Sequence, residues 1–219
     1  LSGAGILNGG NSTLNVTDCT FSDNRTDVGG GGGGIYSGGA LRVTDSTFSR
    51  NVAYYFGGGG IFTDSTMATV TNSTFLNNRA GDSNLGSYIG GGGIYNNRTL
   101  DVTNSIFSGN SSTQGGAIAN GGVIYQSAGM LSVTNSTLSG NVATSVGGGI
   151  YSDDVLTVSN SLISGNTSSY DGGGIYATSG AITTLTHSTV SENTSSHWGG
   201  GIFSNGTLQM TDNIVSANS

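Results

Sequence analysis

Five arginines, twelve acids, two histidines and one cysteine are all that this 219-residue chain offers for conventional side-chain chemistry. Asp18 and Asp45 recur 27 residues apart in equivalent surroundings. Two stacked carboxylates could begin a calcium site, which takes about six to eight oxygen ligands. The positions that follow in the same column are Asn72, Asn104, Asn135 and Asn160, so a pair of solvated turn residues is the plainer reading. His187 and Asp212 share that column further on. No serine or cysteine stands out beside them as a nucleophile, so no catalytic triad is assigned. Polysaccharide lyases and hydrolases work with clustered carboxylates, or a metal, on one face. Here the outward positions nearest to that arrangement are Asn15, Arg42, Thr69 and Asp101. One arginine and one aspartate two repeats apart do not form such a cluster. The expectation is therefore a non-catalytic protein with no metal and no cofactor.

The elements that position these residues form a repeat. The segment Leu14 to Asn24 returns as Leu41 to Asn51, Ala68 to Asn78, Leu100 to Asn110, Leu131 to Asn141, Leu156 to Asn166, Thr183 to Asn193 and Leu208 to Asn218. The closing asparagines are 27, 27, 32, 31, 25, 27 and 25 residues apart, a spacing that marks a solenoid. Within each copy apolar and polar residues alternate, as Leu14 and Val16 do with Asn15 and Thr17. That is the period of a half-buried strand, and no segment carries the i, i+3, i+4, i+7 pattern of a helix. The reading is all-β: a right-handed, single-stranded parallel β-helix of about eight coils and three short strands per coil, spanning residues 1–219 as one domain. In the second coil the strands centre on Ile35-Tyr36, Leu41 to Thr44 and Ser46 to Phe48, with Asp45 turning the corner. Stacked at the usual strand spacing of about 4.8 Å, eight coils make a rod of roughly 40 Å.

Stacking aligns equivalent residues into columns. Val16, Val43, Val70, Val102, Val133, Val158, Leu185 and Met210 form one apolar column; Phe21, Phe48, Phe75, Phe107, Leu138, Ile163, Val190 and Val215 form another. Only stacking can bury them, at about 25 cal/mol per Å² of apolar surface. Asn24, Asn51, Asn78, Asn110, Asn141, Asn166, Asn193 and Asn218 are expected to form an amide ladder, with asparagine also suited to a left-handed corner. Cys19 falls in a column of serines and is expected to be a small inward-facing thiol. After the inward isoleucine comes a third column: Tyr36, Phe62, Tyr95, Tyr125, Tyr151, Tyr176 and Phe203. Strand alternation turns these rings away from the core. They are the candidate contact residues for a sugar or a protein, as an exposed stripe; the alternative is that they only stabilise the sheet by stacking. Inserts fall near 80–89 and 112–124. In the second, Ile118 and Ile124 compete for the core position.

Composition narrows the function. Charged residues are 8% of the chain, lysine is absent and the net charge is −7. Nucleic-acid binding needs a basic footprint, so that class is excluded. No apolar run reaches the about 18 residues of a membrane-spanning helix. A surface of Ser, Thr, Asn and Gly suits an exported, extracellular or cell-surface protein better than a cytosolic one.

Phe-x-x-Asn occurs at Phe21–Asn24, Phe48–Asn51, Phe75–Asn78 and Phe107–Asn110. Gly-Gly-Gly-Ile occurs at 32–35, 58–61, 91–94, 147–150, 172–175 and 199–202, with Gly-Gly-Ala-Ile at 115–118. This pairing resembles the polymorphic outer membrane protein repeats of bacterial autotransporter adhesins. The resemblance implies a surface-exposed β-helical passenger with an adhesive role. Its partners would be host or cell-surface glycans or proteins. A second partner is the chain itself. Neither end shows a polar cap, and a head-to-tail seam from Asn218 to Ile6 would span seven residues against nine in the last three coils. That near match predicts end-to-end stacking into fibres, the alternative being a segment of a longer passenger. A carbohydrate-binding or polysaccharide-degrading β-helix is the competing functional class.

Overall fold

The computed structural model describes residues 2–27, 31–81, 90–121 and 129–219. Every strand pairs in parallel with its counterparts in neighbouring coils, and among the described residues there is no helix. Three sheets are eight strands deep. In the second coil their strands are Ile35–Ser37, Ala40–Thr44 and Thr47–Ser49, here termed the Ile, Val and Phe strands. The expected β-helix with three strands per coil is thus the fold. Two narrower sheets add to it: an exit strand after the asparagine, as at Val52–Ala53, and a return strand of two glycines, as at Gly57–Gly58.

Register matches the columns read from the repeat. Val16 pairs with Val43, and Phe21 with Phe48. The phenyl rings of Phe21, Phe48, Phe75 and Phe107 stack at 4.7, 4.8 and 4.6 Å, tilted by no more than 3°. Those distances are the coil rise itself. The Ile, Val and Phe columns form one continuous core.

Thr183 is an exception in that core. It stands between Leu156 and Leu208 on the Val strands, fully buried, and its hydroxyl has no partner. Burying an unbonded hydroxyl costs about 1 kcal/mol or more. Thr183→Val removes that cost at nearly the same shape. We expect it to raise stability by about 1 kcal/mol, read as a higher urea midpoint; a lower midpoint would contradict the assignment.

Two corners per coil use left-handed backbone. The first is Asp18, Asp45, Asn72, Asn104, Asn135, Asn160, His187 and Asp212, with φ of 49–53°. Asp and Asn tolerate that conformation better than other side chains, which explains their recurrence after each Val strand. The second corner is Asp23, Arg50, Asn77, Gly109, Gly140, Gly165, Glu192 and Ala217. It precedes the asparagine column by one residue. The ladder asparagines are therefore not the left-handed residues; their role is hydrogen bonding alone.

That role is extensive. Asn78 Oδ1 accepts both the backbone N–H and the Nδ2–H of Asn51, at 3.0 and 2.9 Å. Asn78 Nδ2 donates to Asn110 Oδ1 and to the carbonyl of Phe48. The same set recurs along the column from Asn24 to Asn218. The serine column forms a parallel ladder, in which Ser73 Oγ accepts the N–H of Ser46 and donates to the carbonyl of Thr71. Cys19 Sγ makes the equivalent contact with the carbonyl of Thr17. Cys19 thus takes the serine position, but it is exposed, because no described coil lies over it. A further buried polar column, unforeseen from sequence, runs through Asn8, Ser37, Thr63, Asn96, Asn120 and Ser152; Asn96 donates to Asn120 at 2.8 Å.

Ile118 takes the core position, pairing with Ile94 and Ile150; Ile124 lies outside the described residues. Residues 82–89, between the strands Arg79–Ala80 and Gly90–Gly91, and residues 122–128, between Ile118–Asn120 and Met130–Thr134, lie outside the described residues. The first part of the expected 112–124 insert belongs to the regular coil, in the strands Ser111–Gln114 and Ile118–Asn120.

Candidate functional site

The expected exposed aromatic stripe is corrected by burial. Phe62 and Tyr95 are fully buried, Tyr36 and Tyr151 nearly so, and Tyr176 and Phe203 are half-buried. Alternation does turn the rings away from the main core. The exit and return strands then close a second apolar layer on that side: Val146, from an exit strand, packs with Tyr36, Phe62, Tyr95 and Tyr151 in one cluster. The return strand runs close against the same backbone, so that a β carbon on Gly58 would lie 2.9 Å from the backbone nitrogen of Phe62. Within this layer Tyr36, Phe62 and Tyr95 stack at 5.1 and 5.0 Å, and Tyr151, Tyr176 and Phe203 at 5.8 and 5.2 Å. Between the two runs the register position is Ala119, not Tyr125. Tyr125 lies outside the described residues.

Burial also sets the ionisation of these phenols. Tyr95 and Tyr151 are pushed well above the ordinary value of 10.0, chiefly by desolvation and then by nearby phenols and acids such as Asp153. Tyr176 shifts the same way. A phenol whose pKa is raised by folding holds its proton more tightly in the native state. Its stabilising contribution is intact below about pH 10 and is lost as the pH rises above that value. In an alkaline titration followed by phenolate absorbance, Tyr95 and Tyr151 should ionise only with loss of the β-sheet signal. Full phenolate absorbance with the sheet signal intact would refute their burial.

The acids do not converge. Asp45 accepts a bond from Asn72 at 3.1 Å, and Asn104 donates onward to Asn72, so this column carries an outer amide ladder from Asp45 to Asn104. Among the described residues no group of three or more His, Cys, Asp or Glu is placed to hold a metal ion. His187 Nε2 lies 3.4 Å from Asp212 Oδ2, both exposed. Arg42 and Asp101 flank Thr69 in register and do not meet. The Arg50 guanidinium instead makes a two-pronged contact with Asp23 and holds that carboxyl below its usual range.

A different group gathers where sequence reasoning did not look. Between exit strand and Ile strand, the coils after Asn166 and Asn193 carry Tyr170-Asp171 and His197-Trp198. Backbone bonds set them one above the other, His197 N–H to the Tyr170 carbonyl and Gly172 N–H to the Trp198 carbonyl. Asp171 Oδ1 lies 3.1 Å from His197 Nδ1 and accepts the Trp198 N–H at 3.1 Å. The ring centroids of Tyr170 and His197 are 4.9 Å apart, and those of His197 and Trp198 3.9 Å apart. Trp198 is nearly parallel to Phe203 at 6.3 Å. The only sequence signal was that the sole tryptophan and one of two histidines are adjacent, in the part of the repeat with no constant residue type.

Four stretches match the model of the Chlamydia polymorphic membrane protein (Chlamydia_PMP) repeat: residues 18–38, 135–153, 160–178 and 187–205. Each begins on a first left-handed corner and ends just beyond an Ile strand. No curated protein and no solved structure matches the chain. The motifs, their register and these four matches agree that the coils of this parallel β-helix carry repeats of the polymorphic membrane protein type.

Proposed function

We propose that this chain is a non-catalytic β-helical module displayed at a cell surface, where its lateral faces adhere to a partner. One observation carries the reading. Apart from the corner column of Asp and Asn, the residues that recur from coil to coil are consumed inside the structure, in the Asn and Ser ladders, the Phe, Val and Ile columns and the aromatic layer. What varies faces outward: Asn15, Arg42, Thr69, Asp101, Ser132 and Thr157 along one sheet alone. A scaffold with constant interior and changing exterior suits recognition, since function resides in sites placed on a fold and not in the fold itself. The match to polymorphic membrane protein repeats favours a surface location. Labelled protein applied to a glycan array and to cultured cells tests the proposal, with saturable binding as the expected result. Depolymerisation of acidic polysaccharides, with or without calcium, would replace it by the enzymatic class.

A second reading is end-to-end assembly, in which the last coil would meet another copy. Leu208, Met210, Ile214 and Val215 are 38–61% exposed there, and their strands have a partner on one side only. A further coil, from continuing chain or from a second copy, would bury them. Electron microscopy of the purified chain discriminates: fibres support self-assembly, and monodisperse short rods refute it.

A further inference from the structure

We infer that Tyr170, Asp171, His197 and Trp198 form a binding site for a neutral sugar ring, which deepens the adhesive reading and rests on it. After all their contacts, Trp198 remains 60% and Tyr170 56% exposed. These two large open rings, each in contact with His197, are unlike the column aromatics, which are buried or half-buried. Exposed aromatic surface of this kind marks contact sites. The C–H groups on one face of a pyranose pack against an aromatic ring, while its hydroxyls stay free to bond polar atoms at the rim.

The rim supplies those atoms. The Asp171 side chain is 10% exposed, a carboxylate drawn beneath the rings and fixed by His197 Nδ1 and the Trp198 N–H. A carboxylate accepts, so Nδ1 carries a proton, and His197 Nε2 is the ring nitrogen available to bond a hydroxyl. The bond to Asp171 also fixes the imidazole orientation, which lowers the entropy cost of binding. Trp198 is supported from within by Phe203 and, behind it, by Tyr176. The buried aromatic layer thus serves as the foundation of an exposed one.

Charge selects the ligand. No Lys or Arg follows Arg98, whereas Asp101, Asp153, Asp154, Asp171, Glu192 and Asp212 do. That half of the rod repels sulfated or carboxylated glycans, and a sugar without charge meets no such penalty.

Trp198 is the sole tryptophan, so its fluorescence reports this site alone. The full chain is titrated with linear tetrasaccharides of glucose, galactose, mannose and N-acetylglucosamine, and with a heparin tetrasaccharide, each to about 10 mM. A saturable blue shift is expected with at least one neutral sugar and none with heparin. In Trp198→Ala, binding followed by saturation-transfer NMR should weaken at least about tenfold, with Trp198→Phe retaining most of it. Tyr170→Ser, which leaves the tryptophan in place, should weaken the fluorescence response as well. No shift with any neutral sugar, a response to heparin alone, or undiminished binding in Trp198→Ala overturns the site. If array or cell binding persists in Trp198→Ala, the site falls and the adhesive reading stands; if the unaltered chain binds nothing, both fall.

Discussion

Asn110→Ala is expected to destabilise the protein by about 4 kcal/mol. Asn110 Oδ1 accepts the backbone N–H and Nδ2–H of Asn78 at 2.9 and 3.0 Å, and its Nδ2 donates to the Phe75 carbonyl and to Asn141 Oδ1. All four bonds are buried, so alanine strands their partners out of reach of water, at about 1 kcal/mol or more each. The loss reads as a lower urea midpoint at unchanged slope. Asn110→Asp separates acceptor from donor. It keeps Oδ1 but sets a buried carboxylate against two oxygens, so it should be at least as damaging at neutral pH. Burial raises such a carboxyl's pKa, so the native state takes up the proton first and the damage eases as the pH falls. Asn15→Ala, on an exposed strand face, should stay within about 0.5 kcal/mol. An equally small change for Asn110→Ala would show that the ladder amides contribute no net stability.

Gly92→Ala should prevent native folding or cost more than about 4 kcal/mol. A β carbon there would lie 2.1 Å from the Gly116 carbonyl oxygen and 2.6 Å from the Ser111 nitrogen. Both are backbone atoms of the next coil, and the Ser111 N–H is already committed to the Asn78 carbonyl. No side chain can swing away to make room, so the coils themselves would have to part. Gly180→Ala is the counterpart, since nothing lies within 4 Å of its added carbon. It should be neutral or slightly stabilising through the unfolded chain. Melting temperature and protease resistance of the two variants provide the comparison; similar values would exclude close packing at Gly92.

These two residues mark what was legible in the sequence. Asn110 and Gly92 belong to positions whose type recurs, and recurrence at constant phase gave coil count, register and the Val, Phe and Asn columns. The alternation of Ile94 and Tyr95 gave the direction of each side chain correctly. It could not reveal that Tyr95 points into a second layer, because the covering exit strands are short and of changing composition and the return strands are glycine pairs, neither with an apolar period. The Asn column was correctly placed but credited with a corner that Arg50 and Gly109 make, one residue earlier; adjacent positions in a tight turn share the same spacing. Tyr125 was assigned to the column by its Ile-Tyr dipeptide. The ladder takes Ile118 and Ala119 instead, which sequence alone could not separate from Ile124 and Tyr125. Tyr170 and Trp198 occupy a part of the repeat whose residues change freely, so no column drew attention to them.

The ladders also fix how this rod bears load. Their hydrogen bonds lie along its axis, and each coil is bonded only to the coils directly above and below. Tension applied at the two ends therefore falls on the terminal coil first, while the rest stays closed. Each coil of about 27 residues pays out about 90 Å of chain as it peels away. Traction across the axis is shared by every coil at once. The molecule is thus compliant when pulled lengthwise and stiff when gripped from the side, and a bond made on a lateral face is held by many coils acting together.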